Sequence, residues 1–258
     1  MNKRGYIAIA VIVLLAAAAV AYFGFLRQPA GPSASTKGKI LVALDAGHGG
    51  KDPGATSGDY TEKAINFAIV KKIQSLLASD PQIRTITTRS VDVFVPLEER
   101  IRIAQDGGAS IYVSVHVNSF TQSDVSGVET WVDTTRKDSD ASWTLAAMLQ
   151  DALSLSTGAR NRGIRTQESY LQRTLMPAVT VEVGYITNPA ERTQLLDGLY
   201  QDKIAAGVVT GIRQFLAWRV TNPPASTTPA TTPASTKATT PATSTTKTTT
   251  PASAKPKP

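Results

Sequence analysis

The chain has 258 residues, 41% of them hydrophobic, which is enough for one buried domain with tails. It has no cysteine, so disulfides, thiolate metal sites, a cysteine nucleophile and a lipidated cysteine are all excluded. The net charge of +7 does not belong to the central part: nine of the 27 cations lie before Ile40 or after Val220, while all 20 acids lie from Asp45 to Asp202, a balance of about −2 that gives no nucleic-acid signature.

After Lys3 and Arg4, an uncharged apolar run extends from Tyr6 to Leu26, about the 20 residues a bilayer core requires. It has no polar face, so residues 1–27 are read as a signal anchor or signal peptide, with the two cations keeping the N-terminus inside. Residues 28–39 form a linker. Ile40 to Leu44 reads as a strand, and Glu62 to Ala78 as a helix with apolar residues at Ile65, Ile69, Ile73 and Leu76. Strand Ile83 to Thr88, helix Pro96 to Gln105 and strand Ile111 to His116 follow. Next come strand Gly127 to Val132, helix Ser142 to Leu155, strand Ala178 to Val183 and helix Asp202 to Trp218. This alternation predicts an α/β fold, a single domain over residues 40–220 with a mostly parallel central sheet flanked by helices. Residues 221–258 are a Thr/Pro/Ala/Lys-rich tail that cannot bury apolar surface and is expected to be disordered.

The two histidines of the chain, His48 and His116, both fall at carboxyl ends of predicted strands, the edge where open α/β sheets bind ligands. Glu62 opens the helix after the His48 loop, where it either turns back to that imidazole or complements the helix dipole. Glu182 lies inside the apolar strand Ala-Val-Thr-Val-Glu-Val-Gly, where an ionised carboxylate is costly without a partner or a metal. Two imidazoles and one carboxylate suit a zinc ion with an open fourth position for water, and a second carboxylate, Glu182, then serves as the base. A serine hydrolase is disfavoured, since no Gly-x-Ser-x-Gly elbow occurs.

These residues sit in LDAGHGGKDPGA at 44–55, in Glu62 with Lys63 and Asn66, in TRSVDVFVPLEERIRIA from Thr88, in SVHVNS at 114–119 and in MPAVTVEVGYITNPAE from Met176. In this ordered set the chain resembles the zinc-dependent N-acetylmuramoyl-L-alanine amidases of the type-3 amidase family. The resemblance implies that His48, Glu62 and His116 hold one zinc ion and that Glu182 is the catalytic glutamate. It also implies the substrate, bacterial peptidoglycan, and the bond cut, between the lactyl group of N-acetylmuramic acid and L-alanine. Departures are small: Val117 where a smaller residue is common, Tyr185 and Thr187 in place of Phe and Ser, and a slightly short loop before Glu62.

Asn118 and Arg89 are further candidates for substrate contact, and the cations from Arg89 to Arg102 and from Arg160 to Arg165 could meet peptide carboxylates. Some members of the family carry an inserted helix that plugs the zinc site. Between Asn118 and Val181 this chain offers one amphipathic helix and a polar loop, Asp133 to Asp140, so it is expected not to be self-plugged. The location implied is the extracytoplasmic envelope, with membrane contact through the N-terminal segment and anionic wall polymers met by the basic tail. The alternatives are another zinc hydrolase of the wall, a peptidase or a deacetylase, and a wall-binding module without catalysis.

Overall fold

The computed structural model describes residues 38–223. The apolar run Tyr6 to Leu26 and the tail beyond residue 223 lie outside them, and no described helix is long and apolar enough to cross a membrane. The elements are β1 (Ile40–Ala46), β2 (Thr56–Ser57), β3 (Tyr60–Thr61), α1 (Glu62–Ala78), β4 (Ile83–Thr87), α2 (Leu97–Asp106), β5 (Ile111–Asn118), β6 (Val128–Asp133), α3 (Ala141–Thr157) and β7 (Asn161–Gln167). A 3-10 turn (Tyr170–Arg173), β8 (Ala178–Tyr185), α4 (Pro189–Leu196) and α5 (Gly198–Thr221) complete the domain.

Six strands form one sheet in the order β4-β1-β5-β8-β6-β7. The first four are mutually parallel, as the alternation of strand and helix requires. β6 runs antiparallel to β8, and the edge strand β7 runs parallel to β6. The sheet is thus mostly parallel, with a reversed pair at one side.

Successive strand residues point to opposite faces, and the two faces differ. Val42 and Leu44 of β1, Val113, Val115 and Val117 of β5, and Val179, Val181 and Val183 of β8 pack with α1, α3 and α5 into the main core. The opposite face is covered by α2 and the 3-10 turn through Ile101, Ala104 and Leu171 on Ala43, Tyr112 and Ala178. By alternation this second face also carries Asp45, Ser114, His116, Thr180 and Glu182. Chemistry is confined to the less covered side.

Ile69 is fully buried where α1 meets the sheet. Ile69→Val deletes one methylene and is expected to cost about 0.5–1.5 kcal/mol, read as a lower urea midpoint at unchanged slope.

Candidate active site

β1 ends at Ala46 and the chain turns through Gly47 into His48, whose φ of 61° is left-handed and uncommon for a side-chain-bearing residue. Such a conformation persists only where its surroundings hold it. Two buried arginines do so. Arg89 donates from Nε to the Ala46 carbonyl at 2.9 Å and from Nη2 to those of Gly47 and Lys63 at 3.2 and 2.9 Å. Arg100 donates to the carbonyls of Ala46 and His48 at 3.0 and 2.8 Å. Arg100 is itself fixed by Asp45 at 2.6 Å, a carboxylate that also accepts from Ser114 and Thr88.

The imidazole of His48 donates from Nδ1 to Asp52 Oδ2 at 2.8 Å, which directs Nε2 to Glu62 Oε2 at 3.1 Å. His116, near the end of β5, faces Glu62 Oε1 through Nδ1 at 2.8 Å. The two rings stand edge-on with centroids 5.0 Å apart. Gly47 makes this approach possible, because a Cβ there would lie 2.3 Å from the His116 ring. Glu62 opens α1 with its carboxylate turned inward, oriented by the backbone amides of Ala55 at 2.9 Å and Val117 at 3.1 Å and by Asn66. One donor atom each of His48, Glu62 and His116 lies within 4.8 Å of the others.

The electrostatics of this cluster match its donor chemistry. Burial opposes a charge on His48, yet Glu62 and Asp52 outweigh it and push the imidazole up to about 9. Burial likewise opposes the charge on Glu62, but the two imidazoles hold its carboxyl well below the usual carboxylate range. The cluster therefore attracts positive charge at the point where the three donors converge. Two imidazoles and one carboxylate, with one of those imidazoles oriented by a second carboxylate, are a donor set that zinc would accept. If so, Asp52→Ala is expected to weaken zinc binding about 10–100-fold, measured by competition with a chromophoric chelator.

Glu182 stands on β8 in direct register with His116. Its Oε2 is enclosed without a hydrogen-bond partner. Burial is the largest influence on its carboxyl, the His116 charge opposes it, and the Glu62 and Glu129 carboxylates reinforce it, leaving it at about 7. A carboxylate that gains and loses a proton near neutrality, beside a convergent donor set, has the properties of a general base and acid.

The structure thus brings His48, Glu62, His116 and Glu182 together at the carboxyl edge of the sheet. Arg89, expected to meet substrate, is instead 4% exposed, stacked on Phe67 and spent on backbone carbonyls. It holds the His48 loop and offers no free cation. Asn118 lies at the end of β5, where Nδ2 donates to Glu129 Oε1 at 2.7 Å and Oδ1 accepts from the Ser119 amide. A cavity of about 320 Å³ opens beside His48 and His116 and is lined also by Phe94, Val95, Leu97 and Tyr170.

Sequence reading missed Glu129, a buried carboxylate in direct register with Glu182 across β6 and β8. Glu129, in Gly-Val-Glu-Thr-Trp-Val, is like Glu182 an acid inside an apolar strand. Sequence reading also missed Asp52 and the buried Asp45–Arg100 pair, whose partners are distant in sequence or hidden within a loop.

Fold and cluster together define a class: an α/β protein with a His–Glu–His group able to hold a metal ion at the carboxyl edge of a mostly parallel sheet. Residues 42–214 match the Amidase_3 family, described as N-acetylmuramoyl-L-alanine amidase, and the chain belongs to that family. It is 33% identical over 171 residues to N-acetylmuramoyl-L-alanine amidase LytC of Bacillus subtilis, a match covering 66% of this chain and 34% of LytC. Among solved structures, the catalytic domain of CwlV, an amidase of the same description from Bacillus (Paenibacillus) polymyxa var. colistinus, is 36% identical with a TM-score of 0.65. That match covers 69% of this chain and 98% of the CwlV domain. The N-acetylmuramoyl-L-alanine amidase of Clostridium difficile 630 is 32% identical with a TM-score of 0.67, over 70% of this chain and 98% of that one.

Proposed function

We propose that this chain hydrolyses the amide between the lactyl group of N-acetylmuramic acid and L-alanine in peptidoglycan, using one zinc ion held by His48, Glu62 and His116. The observation that carries the proposal is the adjacency of Glu182, its Oε2 enclosed and unpaired, to the His–Glu–His cluster. The family and the named relatives supply the identity of the bond.

Zinc bound there would act as a Lewis acid on the amide carbonyl and lower the pKa of a water molecule. The residues of the chain do the rest. Asp52 orients His48, and the backbone amides of Ala55 and Val117 orient Glu62, so these two donors need little reorganisation on reaction. Glu182 receives the proton of the attacking water on its carboxylate and returns it to the departing alanine nitrogen, which leaves as a neutral amine. Its affinity near neutrality suits both transfers. No covalent acyl-enzyme is required.

The site is read as not self-plugged. Among the described residues the one α-helix between β5 and β8 is α3, which packs on α5 and β6 in the main core, on the face away from His116. The apolar run Tyr6 to Leu26 supports a location outside the cytoplasmic membrane, anchored to it or released from it, and the Lys-bearing tail suits contact with anionic wall polymers. Residues 40–220 are then the catalytic domain.

The test is hydrolysis of a defined muramyl peptide by the full chain with zinc. A new primary amine on L-alanine is expected, lost on chelation and restored by zinc. Persistence of the intact muramyl peptide with metal-loaded protein would favour a binding module instead.

A further inference from the structure

The row of side chains that crosses the sheet does not stop at Glu182. His116 on β5, Glu182 on β8 and Glu129 on β6 are in direct register, and β7 lies beyond them at the edge. The metal-ligand cluster stands at one end of this row. At the other end β7 presents Arg162 and Arg165.

In a regular strand, residues three apart point to opposite faces. Here they do not. Between Val128 and Thr130 the β6–β7 register shifts: Val128 pairs with Asn161, but Thr130 pairs with Ile164, so β7 carries one extra residue. Gly163 occupies that bulge with φ 81°, a conformation a side chain disfavours. The bulge turns both arginines to the face of Glu182: Arg162 Nε lies 3.0 Å and Arg165 Nε 3.7 Å from Glu129 Oε2. Trp131, paired with Arg165 on one side and Thr180 on the other, is partly exposed on the same face.

Neutralisation of Glu129 does not account for both cations. Its Oε1 already accepts from Asn118 and Tyr185, and Arg162 satisfies Oε2. Arg165 makes no side-chain hydrogen bond among the described residues, and its side chain is 48% exposed. Two cations against one carboxylate leave a positive charge beside the reacting edge.

Resting on the amidase reading, we propose that Arg165 and Arg162, floored by Trp131, form the subsite for a carboxylate of the stem peptide. The direction follows from the proton path. Glu182 hands its proton to the departing amine and stands between the metal ligands and β7, so the peptide leaves on the β7 side. Two strand spacings separate β8 from β7, about 10 Å. An extended peptide covers that in about three residues. The carboxylate recognised therefore belongs to the second or third residue from the scissile amide.

The test compares two synthetic muramyl tripeptides, one with free carboxylates on its second and third residues and one with both as carboxamides. With zinc-loaded full chain, the free acid is expected to be preferred about tenfold in kcat/KM, carried by KM. Arg165→Gln is expected to bring that ratio toward one, and Arg165→Lys to retain part of it, both at the wild-type thermal midpoint. A wild-type ratio of one, or a tenfold ratio surviving Arg165→Gln, overturns the subsite while cleavage leaves the amidase reading intact. Calorimetry of both peptides with the Glu182→Gln protein reads the subsite without turnover. Tenfold selective binding there, with no cleavage of either peptide by wild type, overturns the amidase reading and not the subsite.

Discussion

Glu182→Gln is expected to lower turnover of the zinc-loaded chain by about 10²–10⁴-fold, with metal content and KM close to wild type. The substitution preserves the shape of the side chain on β8 beside His116 and removes only its capacity to take a proton. Because Glu182 is not among the three converging donors, zinc should still bind, and metal analysis separates loss of the base from loss of the ion. The size of the effect reflects a double duty, since the same carboxyl receives the proton of water and protonates the leaving amine. A loss below tenfold would place the base on another group.

The second large effect is on stability. Arg100→Ala is expected to cost about 3–5 kcal/mol, because it leaves the Asp45 carboxylate buried without its cation. The same change frees the carbonyls of Ala46 and His48, so zinc affinity should fall with stability. The pair also imposes a pH dependence. Burial pushes the Asp45 carboxyl up, but the Arg100 charge and the Ser114 and Thr88 hydroxyls outweigh it and hold it below the ordinary range. A carboxyl depressed in the folded state contributes stability above its unfolded pKa of about 3.9, and that contribution is lost as pH falls below about 4. The urea midpoint of wild type should therefore drop from about pH 5 to about pH 2, and Asp45→Asn should show a smaller drop. Equal slopes in the two proteins would remove Asp45 from the account.

Much of this fold was legible where side-chain periodicity meets burial. The helix from Glu62 to Ala78 has the bounds its apolar spacing indicated, since Ile65, Ile69 and Ile73 face one core. Both histidines and Glu182 stood out because polar residues at strand ends and inside apolar strands conflict with simple burial, whereas Glu62, at a helix start, is equally a complement to the helix dipole and was singled out by the family resemblance. β7 was missed because Asn-Arg-Gly-Ile-Arg-Thr-Gln has no period-two pattern: the bulge at Gly163 sends Arg162 and Arg165 to one face. The reversal of β6 relative to β8 depends on which strand pairs with which, information no local pattern carries. The helix Pro189–Leu196 was too short for periodicity, although Asn188 caps it and Pro189 opens it. Arg89 illustrates a different limit. Its acceptors are carbonyls of β1, the His48 loop and α1, and only the assembled fold shows that no cation remains for substrate.

The bond that is broken can be identified by digesting purified peptidoglycan with the full zinc-loaded chain in ¹⁸O water, followed by mass spectrometry of the products. Amidase action leaves one ¹⁸O in the lactyl carboxylate of muramic acid, together with unlabelled stem peptides that begin with a free L-alanine amine. Label in a peptide carboxylate, or in released acetate, would contradict the amidase reading and assign the same metal chemistry to a peptidase or a deacetylase.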